Sequence, residues 1–183
     1  MLSAGANPGV GQLLAAQLAA FLALLLAVAA VHKWVRWDHT RGVVHEFAGV
    51  PRAAAAWGVA GAGIAELLAA ALLIVPAQRF HGALLAALIF GAYLALMLRA
   101  ILQGRHDVDC GCSFGSTHRP LGAFDLGRNA LLAAGASFAA ASAAHGAAPV
   151  NASQLLAACA LLALYGALDQ VMALKPMRSG AVL

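Results

Sequence analysis

The sequence predicts an all-α, polytopic membrane helix bundle, with a four-helix core and a fifth transmembrane helix. Three observations carry that reading. The chain is 63% hydrophobic and only 10% charged over 183 residues, with a mean hydropathy of +0.85. A soluble domain carries about 25% charged residues, so this one has too little charge to cover a globule in water. Five apolar stretches occur, each near the ~20 residues a helix needs to cross a bilayer. Their apolar runs are continuous rather than alternating, which selects helices over a closed barrel as the way to satisfy the backbone in lipid.

The expected spans are 11–31, 53–75, 81–102, 125–144 and 152–174, in a single integral-membrane domain covering 1–183. The first ends in Ala27-Val28-Ala29, which resembles a signal-cleavage site. No Lys or Arg precedes it, so it reads as a retained anchor. From His32 to Arg52 the chain turns polar and aromatic, and Trp34, Arg36 and Trp37 have the character of an interfacial belt. The second span is rich in small residues, with Gly58, Ala62 and Glu66 four apart and Gly61 and Ala65 likewise. That spacing lets helices approach closely in lipid. Pro76 ends it. Arg99 lies near the end of the third span, where it can snorkel outward.

The polar connection 103–124 holds the reactive centre of the sequence, Asp109-Cys110-Gly111-Cys112-Ser113-Phe114-Gly115. Two of the three cysteines lie here, one glycine apart. Thiolates attack, oxidise or bind metals, and two held this close can trade a disulfide with another protein. A disulfide within Cys-x-Cys closes a small ring and is expected to be strained and readily reduced. Arg105 and Arg119 would favour the thiolate. Two ordinary loop cysteines are the bland alternative. The fourth span opens with Asp125 and Arg128-Asn129, and the fifth follows a turn at Pro149. Asn151-Ala152-Ser153 matches a glycosylation acceptor by chance spacing and carries no weight.

Ten of the eleven Lys and Arg fall at the membrane face that carries the cysteine connection, and Arg79 falls at the other. The positive-inside rule puts the richer face in the cytoplasm, whereas disulfides persist mainly outside it. The net charge of +4 has no Lys/Arg run with interleaved aromatics, so nucleic acid is not an expected partner; the lipid membrane is.

Glu66 is the most conspicuous ionisable residue inside a span. A carboxylate in hydrocarbon costs about 3 kcal/mol, so it needs a partner, a proton or a function. Lys33 is the preferred partner and Arg99 the second choice; a protonated Glu66 bonded to a neighbouring helix is the plain alternative. Asp169, near the end of the fifth span, is expected to reach water. Cys159, among Ala and Leu, is expected to be a small buried residue.

These pieces together resemble the MauE family of methylamine-utilisation membrane proteins, related to the DoxX-like four-helix membrane proteins. The matching features are His32-Lys33, Glu66, Gly104-Arg105, the Cys110–Cys112 stretch and Arg128-Asn129, over about 13–140. The common family form is Cys-Gly-Cys-Phe-Gly, and the extra Ser113 resembles the methylamine-cluster members. The resemblance implies a maturation factor for the small subunit of methylamine dehydrogenase, a disulfide-rich periplasmic protein with a quinone made from its own tryptophans. It further implies a thioredoxin-like MauD-type partner and a bacterial inner-membrane location. Within that frame Cys110 and Cys112 form the redox pair, with Arg105, Glu66 and Lys33 in support. No cofactor is expected: quinone-using four-helix thiol oxidoreductases are an analogy of fold alone, and no distinct quinone site is visible. Two other classes stay open. One is a non-catalytic membrane scaffold or chaperone. The other is metal handling by His106, Asp109, Cys110, Cys112 and His118, although the spacing departs from that of structural zinc.

Overall fold

The computed structural model describes residues 9–104 and 122–173. Every regular element among them is helical: α1 Val10–Val35, α2 Trp37–Ala48, α3 Arg52–Ile74, α4 Arg79–Leu102, α5 Ala123–Ala144 and α6 Ala152–Ala173, with a 3₁₀ turn Pro76–Gln78 before α4. Four stretches are long and apolar enough to cross a membrane: Val10–Val35, Arg52–Ile74, Pro76–Leu102 and Ala152–Met172. The expected span 125–144 is matched in position by α5. At 22 residues it has the length, but Asp125, Arg128 and Asn129 in its first two turns dilute its apolar character, and it is not among the four.

The helices α1, α3, α4 and α5 pack on one another as the four-helix core, and α6 lies against α1 on its outside. The interior is built largely from alanine. Ala16, Ala19, Ala20, Ala69, Ala83, Ala86, Ala136 and Ala139 are fully buried, interleaved with Leu22, Leu26, Leu73 and Phe90. Lipid is as apolar as leucine, so close van der Waals packing of small residues, rather than expulsion of water, holds such helices together. Outward-facing leucines, Leu88, Leu131, Leu156 and Leu164 among them, are 62–75% exposed. That surface suits a hydrocarbon solvent.

The close approaches differ from those expected on α3. Its buried face is Ala55, Val59, Gly63, Glu66, Ala69, Ala70 and Leu73, which leaves Gly58 and Gly61 exposed. Gly63 is the position that matters. A Cβ there would lie 2.8 Å from Trp34 Nε1, so the indole lies over the glycine. Trp34, 42% exposed, thus packs on α3 as well as facing outward. At Gly82 a Cβ would meet the backbone of Leu73 and Leu72 at 2.6 and 2.8 Å, and glycine there closes the α3–α4 hairpin.

Most of the stretch from His32 to Arg52 is helical. Helix α1 continues through Val35, a break falls at Arg36, and α2 runs until Gly49 adopts a left-handed φ of 65°. Glycine suits that C-terminal position because it carries no Cβ penalty. Asn151 turns out to be a helix cap: its Oδ1 accepts from the backbone N–H of Gln154 at 2.9 Å and from Ser153 Oγ at 2.8 Å.

At the opposite end from the cysteine connection, Arg79 is 1% exposed. It donates from Nε to the Leu73 carbonyl at 3.0 Å and from Nη1 to the Ala148 carbonyl. The only basic residue expected at that face is therefore a buried clamp between the end of α3 and the α5–α6 turn.

Candidate functional site

Chain direction brings four helix ends together. The C-terminal ends of α1, α4 and α6 and the N-terminal end of α5 meet at one end of the bundle, and the connection bearing Cys110 and Cys112 joins α4 to α5 there. Arg105, Cys110 and Cys112 lie outside the described residues, as do His106, Asp109, His118 and Arg119. Among the described residues, no cluster of three or more His, Cys, Asp or Glu side chains could hold a metal.

Inside that end lies a layer of charge. Lys33 Nζ donates to both oxygens of Glu66, at 2.7 and 3.0 Å, and Glu66 is fully buried. The pairing with Lys33 is the one expected from the sequence. Arg99, the second choice, is exposed near the end of α4. Tyr93 of α4 adds a third donor, its hydroxyl lying 2.6 Å from Glu66 Oε1. The ammonium also sits 5.4 Å from the centre of the Tyr93 ring. One carboxylate thus ties α1, α3 and α4. Three charge-assisted contacts offset the cost of burying the pair far better than a bare contact could.

A second set faces it. Arg128 Nη1 lies 2.7 Å from Asp169 Oδ1, with both side chains buried, and Nη2 lies 3.9 Å from Asp125 Oδ1. The guanidinium is 5.7 Å from the centre of the Tyr165 ring. This corrects the expectation that Asp169 reaches water: it is 2% exposed, because α6 turns that face toward the core. Asp125 also caps α5 by accepting from the Gly122 N–H at 3.1 Å. Asn129 Nδ2 donates to the Asp125 carbonyl and to Met97 sulfur, tying α5 to α4. The pattern repeats, with a cation, a carboxylate from another helix and a tyrosine ring in each set.

Between the two sets is a cavity of about 40 Å³, whose polar walls are His32, Lys33, Glu66, Tyr93, Arg128 and Asn129, closed below by Leu25, Leu26, Phe90 and Leu132. Sequence reasoning missed Tyr93, Tyr165 and the Arg128–Asp169 pair. The available signal was Asp169, an acid inside an apolar segment. Cys159 is a further correction. It is exposed on α6, because α6 buries only the narrow face of Gln154, Ala158 and Asp169.

A lipid-facing exterior, four spans and an internal charged layer define a multi-pass membrane protein. The model of the family described as methylamine utilisation protein MauE matches residues 11–144. The methylamine utilization protein MauE of Paracoccus versutus is 34% identical over 124 residues, which cover 68% of this chain and 67% of that protein. Its namesake in Paracoccus denitrificans is 35% identical over 119 residues, covering 62% of this chain and 61% of that relative. The chain belongs to the MauE family. No solved structure matches it. The matched region holds Lys33, Glu66, Tyr93, Arg128 and Asn129 together with the cysteine stretch, and it stops before α6 and Asp169.

Proposed function

We propose that this chain is an accessory protein of methylamine utilisation, in the bacterial inner membrane, that matures the small subunit of methylamine dehydrogenase by thiol–disulfide exchange through Cys110 and Cys112. The supporting observation is positional. The family-matched helices converge on the end of the bundle from which the cysteine connection leaves, and there they carry the whole Lys33–Glu66–Tyr93 set and Arg128 of the second. Exchange needs no resident cofactor. A thiolate of one protein attacks a disulfide sulfur of the other, a mixed disulfide forms, and the displaced sulfur leaves as a thiolate. The neighbouring cysteine then attacks the mixed disulfide, so one protein ends oxidised by two electrons and the other reduced. A thioredoxin-like MauD-type protein is the exchange partner, and the dehydrogenase subunit is the final client. Lys33, Glu66 and Arg128 hold the helix ends that carry the connection, and Arg105 favours the thiolate.

The test is a trapping experiment. Cys112→Ser removes the resolving sulfur, so cells producing that variant should contain a thiol-sensitive adduct through Cys110 on non-reducing gels. Absence of any adduct, with normal dehydrogenase maturation in the Cys110→Ser/Cys112→Ser double variant, removes the exchange reading and leaves a scaffold.

A further inference from the structure

The cavity between the two ion-pair sets has a chemistry of its own. Apolar cavities stay dry, whereas polar ones of sufficient size hold ordered water that completes the hydrogen bonding of their walls. This one has about 40 Å³, against the roughly 10–15 Å³ that one water requires. Its walls are unsaturated by count. An ammonium carries three donors, and Glu66 takes two of those on Lys33. A carboxylate offers about four acceptor sites, and Lys33 and Tyr93 occupy three on Glu66. Arg128 and Asn129 face the same space from α5. Charges in hydrocarbon carry a solvation penalty that a few water molecules reduce.

We propose that this cavity is a binding site for ordered water, which joins the Lys33–Glu66–Tyr93 set to Arg128 and its partners in one hydrogen-bonded network across the bundle. The site is independent of the cysteines and of any exchange they perform. It would solvate Glu66 from within, although the residue has no contact with the outside.

Hydroxyl-radical footprinting of the protein in lipid nanodiscs, after brief mixing into ¹⁸O-water, reads the site directly. Radicals form from water in place, so a buried side chain beside ordered water is oxidised while a dry one is spared. Two phenylalanines make a matched comparison. Phe90 lines the cavity at 5% exposure, and Phe21 lies outside its lining at 9%. Phe90 and Tyr93 should be oxidised severalfold faster than Phe21, with the product oxygen drawn from the slowly exchanging ¹⁶O pool. Oxidation of Phe90 as slow as that of Phe21 means a dry cavity and overturns the proposal. Immediate ¹⁸O incorporation means bulk water, and overturns it equally.

Discussion

Asp169 of α6 lies 2.7 Å from Arg128 of α5, and this contact gives α6 a polar anchor on the core. Helix α6 otherwise meets α1 through a narrow face, with Gln154 at one end and Tyr165 edge-on to Phe21 at 6.2 Å. The pair is buried, so removing one partner strands the other. Asp169→Ala leaves Arg128 with Asp125 at 3.9 Å as a weaker neighbour, and should destabilise the protein by less than the roughly 3–5 kcal/mol of a fully orphaned buried charge. The double variant Arg128→Met/Asp169→Leu should recover most of that loss, since apolar replacement of a buried pair is often neutral. Thermal unfolding in detergent, followed by tryptophan fluorescence, compares both variants with the wild type. A double variant no more stable than Asp169→Ala would show that the loss does not come from stranding the Arg128 charge.

Glu66 should be less forgiving. It is the one carboxylate within ion-pair distance of Lys33 among the described residues, and it also holds Tyr93. Glu66→Ala is therefore expected to cost more than Asp169→Ala, about 3–5 kcal/mol, and to lower the amount of folded protein in membranes. Glu66→Gln keeps an acceptor for Tyr93 and for the ammonium, so its loss should be milder. Lys33→Met in the Glu66→Gln background should restore stability further. Wild-type levels for both Glu66 variants would show that the pair contributes nothing to holding α1 against α3.

How much of this could be read in advance follows from where polarity interrupts apolar sequence. Glu66 and Lys33 were legible as a pair because a charge inside a span demands a partner, and few were in reach. Arg128 read as a loop-side charge, so its bond to Asp169 was hidden. The apolar positions of helix α6 are nearly all Ala and Leu and mark no buried face, so the face was signalled by Gln154 and Asp169 alone; reading Asp169 as a helix-end residue misplaced it, and Cys159 with it. Helix α2 was missed for the opposite reason, since charges and histidines fill it and its stop signal is the lone turn glycine Gly49. The cysteine stretch, plainest of all in sequence, lies outside the described residues.

The last prediction concerns which membrane face carries Cys110 and Cys112. Arg79, Lys33 and Arg128 are buried in the bundle and are not loop charges. The eight remaining Lys and Arg of the chain all fall in or beside segments at the α4–α5 connection end. The positive-inside rule then points that end to the cytoplasm without a counterexample. After reduction, a membrane-impermeant thiol label should fail to reach Cys110 or Cys112 from outside intact cells, and a reporter at the C-terminus should read cytoplasmic. Cys159 sits on the outer face of α6, within a predicted span, and should stay unlabelled until the bilayer is dissolved. If label and reporter both read the outer side, the arginines flanking the cysteines break the charge rule. Direct exchange with a periplasmic partner then needs no transfer across the bundle. If both read cytoplasm, the exchange reading requires a second thiol pair on the partner to carry electrons across the membrane, and a search for that pair in the MauD-type protein becomes the decisive experiment.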